Sequence, residues 1–509
     1  MIGMYTAEQV RAAEAARMIE VPAGALMQQA AYGLAQVVLR LLTEATGRVY
    51  GSRVVLLVGP GGNGGDALYS GVALLHRGVA VSALLLRDGT YPGALAAFRA
   101  AGGTLLGDEA GAPRDASCSA LSGAGVRAAA DASADAAVGR DAQIAAIVAD
   151  ADVVVDGIAG LGSGRSVGLR EPIAAALAAH DFVVAVDVPS GVAVDTGRVA
   201  DDAVRARATV TFGCHKNGHF LAPAAKLCGD IELIDLGLGP HLPPATAGVL
   251  SADEVFGAWP RQPYDGHKYA TGVVAIAAGS AKYPGAAVLC VGGALRAKPG
   301  MVRYVGEPAA ADRVLASWPE CVVESSVAAT GRAQAWVVGP GLGTDERAAA
   351  VLDEVLASDV PVLIDADGLT LLKGRVGELA ERDVPTVLTP HAGEFERIFF
   401  PIDDPLSAAQ RAADESGCVV LLKGPTTVVA APGAPALVNP TGTARLATAG
   451  SGDVLAGVAG SLLAAGIEPR RASAMAAYAH GAAALGAAGM PVASDLPALL
   501  RDLLATRLA

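Results

Sequence analysis

The chain is poor in aromatic residues and has no long basic run. Phenylalanine, tryptophan and tyrosine make up 4% of its 509 residues, while alanine and glycine supply much of a high apolar fraction. We therefore expect small side chains to fill the contacts between helices and sheets. The formal net charge of −13 argues against a general nucleic-acid binder, because no Lys/Arg run offsets it.

Paired cysteines, membrane spans and a signal peptide are also missing. The six cysteines show neither a CxxC pair nor metal-ligand spacing, so we expect reduced, mostly buried thiols. No uninterrupted apolar stretch is long enough to cross a bilayer. The segment 1–18 is amphipathic and charged and lacks the apolar core of a signal peptide. These absences predict a soluble, cytoplasmic protein with no membrane partner.

Strand-like runs alternate with helical patterns throughout, which predicts α/β domains with mainly parallel sheets. A first series of runs starts at Arg53 and a second follows Tyr264. The segment 236–248 between them is rich in glycine and proline and is the predicted domain boundary. The segment 107–142, mostly Ala, Gly, Ser and Asp, shows no clear periodicity and is interpreted as a loop or insertion.

A glycine-rich motif, GPGGNGGDALYSG at Gly59–Gly71, directly follows the first predicted strand. Its glycines allow the backbone to approach a ligand closely, and the next helix offers its N-terminus to an anion. The spacing is not GxGxxG, so the dinucleotide fingerprint does not apply as written. A plain strand–turn–helix corner is the alternative interpretation.

Two later strand ends carry acidic residues. VVVDGIAGLGSGRSVG contains Asp156 and a glycine-rich loop with Arg165, and VVAVDVPSG contains Asp187 and Ser190. Ligands bind outside the carboxyl ends of parallel strands, so we expect these loops to converge with Asn63. Asn63, Asp156 and Ser190 offer hard oxygen ligands for a group-one or group-two cation. Asp187 is a candidate acid/base. For any single aspartate, a helix cap or loop contact is the alternative.

The most informative C-terminal motif is LATAGSGDVLAGVAG, in which GSGD occupies residues 450–453 before an apolar run of helical spacing. A glycine-rich turn that opens a helix directs unpaired backbone N–H groups toward an anion. Asp453 then lies where it can take a proton from a hydroxyl group. That combination suits phosphoryl transfer, although a tight turn with an aspartate near a helix start is common.

Four further polar motifs follow strands of the second series: GPGLG from Gly339, DADGL from Asp365, TPHAGEF from Thr389 and LLKGPTTVV from Leu421. All can line one rim of a parallel sheet. In the last motif the lysine fits a phosphate contact and the two threonines can donate hydroxyl hydrogen bonds.

Two residues of TPHAGEF have alternative interpretations. His391 is either a ligand contact or a loop cap. Glu394 either assists a metal or starts a helix, and we favour the helix.

The N-terminal motifs resemble the N-terminal domain of the bacterial NAD(P)H-hydrate repair family. Members of that family carry an Asn-Asn-Gly-Gly-Asp-Gly loop, an Asp-containing Gly-Thr-Gly loop and a D-[IV]-P-S-G strand end, and segment 211–239 matches their closing strand segment. The resemblance implies that residues 1–240 form a Rossmann-like three-layer sandwich. Its implied activity is the interconversion of the R and S forms of hydrated NADH and NADPH.

The same resemblance implies site residues. Potassium would be held by Asn63, Asp156 and Ser190, and Asp187 would be the acid/base at the hydrated ring carbon. The substrate loops would be formed by Gly62, Asn63, Gly64, Gly65, Asp66, Gly160, Leu161, Gly162, Ser163, Gly164, Arg165 and Ser166.

The second half resembles the ribokinase-like dehydratase domain of the same family, from HKYATGVVAIAAGSAKYPGA at 267–286 nearly to the C-terminus. The resemblance implies a ribokinase-like three-layer sandwich over 249–509. In that family ADP phosphorylates the hydroxyl group of the hydrate, after which phosphate leaves and NADH or NADPH is restored. Magnesium is expected with the nucleotide, because it neutralises phosphoryl charge.

Carried over by motif, the resemblance implies hydrate contacts at Ala286, Gly341, His391 and Asp453, with Asp453 as the base that activates the hydroxyl. The adenine nucleotide would be held by Lys423, Gly424, Pro425, Thr426, Thr427 and Gly452.

The two resemblances occur in the family's order and cover nearly the whole chain. They predict a bifunctional repair enzyme whose small-molecule partners are the hydrates NADHX and NADPHX and ADP. A homo-oligomer is expected, although the sequence does not define its size. The alternative is a ribokinase-like kinase of a small alcohol or vitamin precursor, fused to a non-catalytic nucleotide-binding domain.

Overall fold

The computed structural model describes residues 1–106, 139–161, 164–297 and 300–508. Contacts divide the chain into two compact units. The N-terminal unit is Met4–Pro244, and the C-terminal unit combines Met1–Gly3 with Ala245–Ala509. The division therefore falls inside the glycine- and proline-rich segment 236–248.

The N-terminal unit is built on a parallel sheet. The first strand, β1, is Ile2–Tyr5, and its last two residues pair with β8. The later strands are β2 Arg53–Val58, β3 Ala80–Leu85, β4 Thr104–Leu106, β5 Val153–Gly157, β6 Val183–Val186, β7 Ala208–Phe212, β8 His215–Lys216 and β9 Asp230–Ile234. Seven of them form one sheet in the order β4-β3-β2-β5-β6-β7-β9. Every pair in it is parallel.

Helices cover both faces of this sheet. They are α1 Ala7–Glu20, α2 Ala25–Thr46, α3 Gly62–Leu75, α4 Pro92–Ala100, α5 with described residues 139–149, and α6 Ile173–Ala178. Every residue of β5 and β6 is buried, and successive valines of β5 belong to two different core clusters. This is the pattern of strands covered on both faces. Residues 139–142 belong to α5, which corrects the interpretation of that stretch as loop; residues 107–138 lie outside the described part.

The C-terminal unit has its own sheet. Its strands are β10 Ala247–Val249, β11 Val273–Ala277, β12 Met301–Val305, β13 Val322–Glu324, β14 Ala335–Val338, β15 Val362–Ile364, β16 Thr386–Leu388, β17 Val419–Leu422, β18 Val428–Ala431 and β19 Ala434–Val438. They are ordered β13-β12-β11-β14-β15-β16-β17-β18-β19-β10. The pairs from β13 to β17 are parallel, and β18 is antiparallel to both of its neighbours.

Helices also cover both faces of the second sheet. They are α7 Ala252–Gly257, α8 Pro284–Arg296, α9 Pro308–Ser317, α10 Glu346–Leu356, α11 Asp367–Leu371, α12 Ala392–Ile398, α13 Pro405–Ser416, α14 Ser451–Ala464, α15 Pro469–Leu485 and α16 Leu496–Arg507. One core cluster includes α8, α14, α15 and α16, and another includes α10 and α11. The predicted α/β class with mainly parallel sheets and three layers is confirmed.

The structure can be compared with the expectations for cysteines and for membrane-spanning helices. Cys214, Cys228, Cys290, Cys321 and Cys418 are free and buried, as predicted, whereas position 118 lies outside the described residues. Within the described residues, no helix combines the length and apolarity that a membrane crossing requires.

Helices α8 and α14 touch backbone to backbone, as expected for small-residue packing. A Cβ atom placed on Gly457 would lie 1.9 Å from the carbonyl oxygen of Cys290, and one on Gly293 would lie 2.2 Å from that of Val454. Such distances are possible only because these positions carry no side chain. The contact holds the first turn of α14 beside α8.

We predict that Gly457→Ala destabilises the C-terminal unit by about 1–3 kcal/mol, because the two backbones must separate. A loss of about 2–10 °C in melting temperature is expected in scanning calorimetry. Gly285→Ala is the matched control, since a Cβ at that position of α8 meets nothing within 4 Å. Equal melting temperatures for the two variants would contradict the prediction.

Candidate active sites at the strand ends

The glycine motif of the N-terminal unit lies at the start of α3, which begins at Gly62. A Cβ on Gly64 would lie 2.1 Å from the carbonyl oxygen of Gly59, and one on Gly59 would lie 1.8 Å from that of Ile158. The motif thus permits close contact between the first turn of α3 and the ends of β2 and β5. This contact brings Asn63 to the carboxyl edge of the sheet.

Asp156, at the end of β5, is fully buried and accepts three hydrogen bonds. Ser190 donates from its hydroxyl at 2.6 Å and from its backbone at 2.8 Å, and Ile158 donates from its backbone at 3.3 Å. Burial raises the pKa of Asp156 to about 6 against these hydrogen bonds. Asn63 lies nearby, where its Nδ2 donates to the carbonyl oxygens of Val186 at 2.7 Å and Ala159 at 3.0 Å.

Asp187 follows β6 in a left-handed conformation, with φ of 68°, which is uncommon outside glycine. Its Oδ1 accepts hydrogen bonds from Lys216 Nζ at 2.5 Å and Thr211 Oγ1 at 3.0 Å, and all three side chains are buried. His219 Nε2 lies 2.8 Å from the Asp187 carbonyl oxygen. Burial, then the charge of Lys216, lowers the pKa of His219 to about 3, so this imidazole is neutral.

These side chains line one cavity of about 370 Å³. Its walls include predicted residues from both substrate loops, together with residues of α1 and α2 that the sequence did not indicate. The predicted members are Gly62, Asn63, Asp66, Gly160, Leu161 and Asp187, and the additional polar members are Arg11 and Glu14.

Other predicted residues lie behind the cavity or away from it. Gly64 and Gly65 are buried within α3. Arg165 is exposed, Ser166 Oγ donates to Asp202 at 2.7 Å, and Gly164 packs against Ala193. The predicted residues Gly162 and Ser163 lie outside the described part of the chain.

The GSGD motif forms the start of α14, and Gly450 is its N-cap residue with φ of 88°. A Cβ on Gly452 would lie 3.3 Å from Lys423 Nζ, so the ammonium lies beside the helix N-terminus. An ammonium next to unpaired helix N–H groups is a site for an anion such as phosphate. The structure brings Gly452, Asp453 and Lys423 together from two distant parts of the chain.

Lys423 is also paired with carboxylates. Its Nζ lies 2.7 Å from Asp365 Oδ1 and 3.9 Å from Glu394 Oε2. Burial would lower the pKa of Lys423, but the charges of Asp365 and Glu394 outweigh it and raise the pKa. Burial, then repulsion from Asp365, raises the pKa of Asp453 to about 7. Asp453 therefore exchanges a proton near neutral pH.

His391 caps α12 and is 57% exposed. Its Nδ1 accepts from the backbone N–H of Glu394 at 3.3 Å, and Glu394 Oε2 accepts from the backbone of His391 at 2.9 Å. This capping box confirms that Glu394 starts a helix. The opposite nitrogen, Nε2, lies 3.6 Å from Glu394 Oε1, and the imidazole remains exposed enough for a ligand to reach it.

The remaining predicted residues fall into two groups. A Cβ on Gly341 would lie 2.7 Å from that of Ala286, so these two residues are neighbours on the α8 side of the rim. Gly424, Pro425, Thr426 and Thr427 form the turn between β17 and β18, where Gly424 and Pro425 are exposed and Thr427 is buried.

Comparison with known proteins agrees with this geometry. The profile described as NAD(P)H-hydrate dehydratase matches residues 274–505, and the profile of the YjeF-related protein N-terminus matches residues 23–218. The bifunctional NAD(P)H-hydrate repair enzyme Nnr of Mycobacterium leprae is 43% identical over 501 residues, covering 97% of this chain and 96% of that protein. The chain belongs to the bifunctional NAD(P)H-hydrate repair enzyme family.

Other relatives carry the same name or part of it. The Nnr enzyme of Mycobacterium tuberculosis is 45% identical over 475 residues, covering 92% of this chain and 91% of that protein. The ADP/ATP-dependent NAD(P)H-hydrate dehydratase of Bacillus subtilis, crystallised with ATP/Mg²⁺, is 28% identical, with a TM-score of 0.47. It covers 51% of this chain and 99% of that structure. The family predicted from the sequence motifs is thus confirmed.

Sequence reasoning assigned no role to several polar residues of these repair-enzyme sites. Lys216 lies in segment 211–239, for which the motifs predict no site residue. Asp365 opens DADGL, a motif predicted to line the rim but without a specific contact. Glu14 is one acidic position of an amphipathic helix. Only for Asp365, which directly follows a strand, did the sequence contain a usable signal.

We predict that Lys216→Met destabilises the N-terminal unit by about 3–5 kcal/mol, because Asp187 is left buried without its cation. Urea unfolding measures the loss. Combining Lys216→Met with Asp187→Asn removes both charges and should recover part of the stability. A double variant as unstable as Lys216→Met alone would contradict the electrostatic explanation.

Proposed function

We propose that the N-terminal unit is the epimerase of this bifunctional repair enzyme, with bounds 1–240, and that the C-terminal unit is its ADP-dependent dehydratase, with bounds 249–509. The proposal depends on one observation above all. In the N-terminal unit, Asp187 lines a cavity together with the glycine-rich start of α3. In the C-terminal unit, Asp453 lies in the glycine-rich first turn of α14. The substrates are the hydrates NADHX and NADPHX, and the phosphoryl donor is ADP.

In the epimerase, the cavity lined by Asp187 and Asn63 would hold the hydrated nicotinamide ring. Gly62–Asp66 and Gly160–Ser166 would contact the rest of the substrate. Asp187 would be the acid/base that acts at the hydrated ring carbon. Lys216 keeps this carboxylate fixed, because it donates to the oxygen that also accepts from Thr211.

Potassium is the proposed cation of the epimerase. The donor set fits it, because Asn63, Asp156 and Ser190 supply hard oxygen atoms. In addition, Asp156 is a fully buried carboxylate whose hydrogen-bonding partners among the described residues, Ser190 and Ile158, are uncharged. A bound cation would balance that charge and hold the loops that follow β2, β5 and β6.

In the dehydratase, Asp453 would take the proton from the hydroxyl group of the hydrate while the hydroxyl oxygen attacks the β-phosphorus of ADP and AMP leaves. Loss of the phosphate, together with a proton from the neighbouring ring carbon, would then restore NADH or NADPH. The N-terminus of α14 at Gly452 and the ammonium of Lys423 would stabilise the negative charge of the phosphoryl group. The turn from Lys423 to Thr427 would hold the nucleotide. Ala286, Gly341 and His391 would contact the hydrate.

Magnesium is proposed to arrive with the nucleotide. Within the described residues there is no cluster of three His, Cys, Asp or Glu side chains able to hold a metal by itself. Mg²⁺ commonly binds through one or two carboxylates and substrate phosphates. Asp365, whose charge contributes to the raised pKa of Asp453, suits that role, which leaves Asp453 available to take the hydroxyl proton.

Separate substitutions should divide the two activities. Reduced-nicotinamide absorbance is followed with pure R or pure S hydrate in the presence of ADP, Mg²⁺ and K⁺. The Asp187→Asn protein should convert the S-hydrate at the normal rate. With the R-hydrate, its absorbance should recover only as fast as spontaneous epimerisation allows. Asp453→Asn should lose recovery from both hydrates by about 10³-fold or more, because it lacks the base. Normal R-hydrate recovery by Asp187→Asn would disprove the assignment of Asp187.

We predict that the dehydratase kcat falls about tenfold per pH unit below pH 7, because Asp453 must be deprotonated to act as a base. The charge of Asp367 also raises the pKa of Asp453. Asp367→Asn should therefore shift the acidic limb of the kcat–pH profile to lower pH. Asp502→Asn is the control, because Asp502 is an exposed carboxylate, and it should leave the limb in place. A limb that stays in place in Asp367→Asn would argue that another group titrates.

A further inference from the structure

Three carboxyl groups face the cavity of the N-terminal unit. Glu14 projects from α1, Asp66 from α3, and Asp187 from the loop after β6. A cluster of three acidic groups needs either cations or protons, because like charges at short range disfavour joint ionisation. The distribution of cations around the cavity therefore determines which carboxyl groups are ionised.

Among the three carboxyl groups, the buried cation Lys216 hydrogen-bonds Asp187. An ammonium group has three donors, and those of Lys216 are directed to Asp187 Oδ1 at 2.5 Å, Thr211 Oγ1 at 2.8 Å and the Phe212 carbonyl oxygen at 2.9 Å. No donor remains for Asp66. Lys216 therefore forms an ion pair with Asp187 and does not hydrogen-bond the other two carboxyl groups.

The other cation on the cavity wall, Arg11, is directed elsewhere. Its Nη2 donates to the carbonyl oxygen of Leu161 at 2.7 Å. Burial, then the charge of Asp187, raises the pKa of Glu14, and the charges of Lys216 and Arg11 offset part of that rise. Glu14 and Arg11 are both on α1, whereas Asp66 is on α3. Asp66 is thus left without a cationic partner among the described residues.

Asp66 is 7% exposed, and its Oδ1 has no hydrogen-bond partner in the described part of the protein. An ionised, unpartnered carboxylate in such a place is costly. Burial, then the charges of Asp187 and Glu14, raises the pKa of Asp66 well above its usual range. A protonated Asp66 avoids the cost and presents an O–H donor to the cavity, opposite in role to the ionised Asp187.

We propose that Asp66 is the general acid of the epimerase, which donates its proton to the hydroxyl group leaving the hydrated ring carbon. The proposal rests on the epimerase function proposed above for this unit. It assigns catalysis to a residue that the substrate-loop resemblance treats only as a contact.

The chemistry balances with two carboxyl groups. The lone pair of the ring nitrogen forms a C=N bond as the carbon–oxygen bond breaks, and the oxygen leaves as water with the proton of Asp66. Water then adds to the other face of the carbon, the C=N electron pair returns to nitrogen, and Asp187 takes the proton released by the adding water. A proton returns from Asp187 to Asp66 through solvent before the next turnover in the same direction.

The first test is Asp66→Asn, which keeps the shape of the side chain but has no acidic proton. Conversion of R-hydrate is measured with an excess of Asp187→Asn protein, which supplies the dehydratase. The epimerase kcat should fall by about 10²–10⁴-fold with little change in KM, and Asp66→Glu should regain part of it. The dehydratase rate of Asp66→Asn on S-hydrate should equal that of the unsubstituted protein.

The second test is the pH profile of the epimerase. A general acid is inactive when deprotonated, so kcat should fall on the alkaline side as Asp66 loses its proton. Glu14→Gln removes a charge that raises the pKa of Asp66, and should shift this alkaline limb to lower pH. Asp150→Asn is the control, because Asp150 is an exposed carboxylate paired with Arg53, and it should leave the limb in place.

The outcomes are distinguishable. If the unsubstituted protein fails to epimerise R-hydrate, the proposed function of the unit is wrong. If it epimerises and Asp66→Asn retains a kcat within a factor of about three, the acid assignment is overturned, since that is far below the effect of losing a general acid. If Asp66→Asn does not fold, so that the calorimetric transition of the N-terminal unit is lost, the pH profile of Glu14→Gln is the test. A shift of its alkaline kcat limb to lower pH supports the proposal, and an unmoved limb overturns it.

Discussion

Each unit holds a lysine ammonium against a carboxylate at the carboxyl edge of its sheet. The pairs are Lys216 with Asp187, at 2.5 Å, and Lys423 with Asp365, at 2.7 Å. Two charges removed from water in this way are stable only when their geometry is good and further hydrogen bonds satisfy the remaining donors. Around Lys216 those partners come from β7 through Thr211, so the alignment of neighbouring strands is a condition for the charged site to exist.

The two lysines differ in what they leave available. The donors of Lys216 are all directed to protein atoms, so its effect is to hold one carboxylate in place. Lys423 is 19% exposed and lies beside the helix start at Gly452, so its charge also extends to an incoming anion. In the proposed mechanism, a similar ion pair would therefore support proton transfer in one unit and phosphoryl transfer in the other.

The positions of Asp156 and Asp187 could be predicted because each lies at the end of an apolar strand. The position of Asp453 could be predicted because the glycine-rich GSGD motif opens a helix. Lys216 could not, because its role depends on the two-residue strand β8 and on contact with a residue 29 positions earlier. The contribution of Glu14 depends on which way α1 faces, which local pattern does not determine. For Ser166, loop composition could not reveal that its hydroxyl binds Asp202.

The chain passes between the two units twice, because residues 1–3 group with the C-terminal unit and Met4 onward with the N-terminal unit. Each unit is compact and has its own hydrophobic core, yet only the N-terminal unit is one uninterrupted stretch of sequence; the C-terminal unit combines residues from both ends of the chain. A single cut after Pro244 would therefore leave the first three residues attached to the wrong fragment. The catalytic motifs of the two units therefore follow one another along the chain, whereas the boundary between the units is crossed near residue 3 as well as after Pro244.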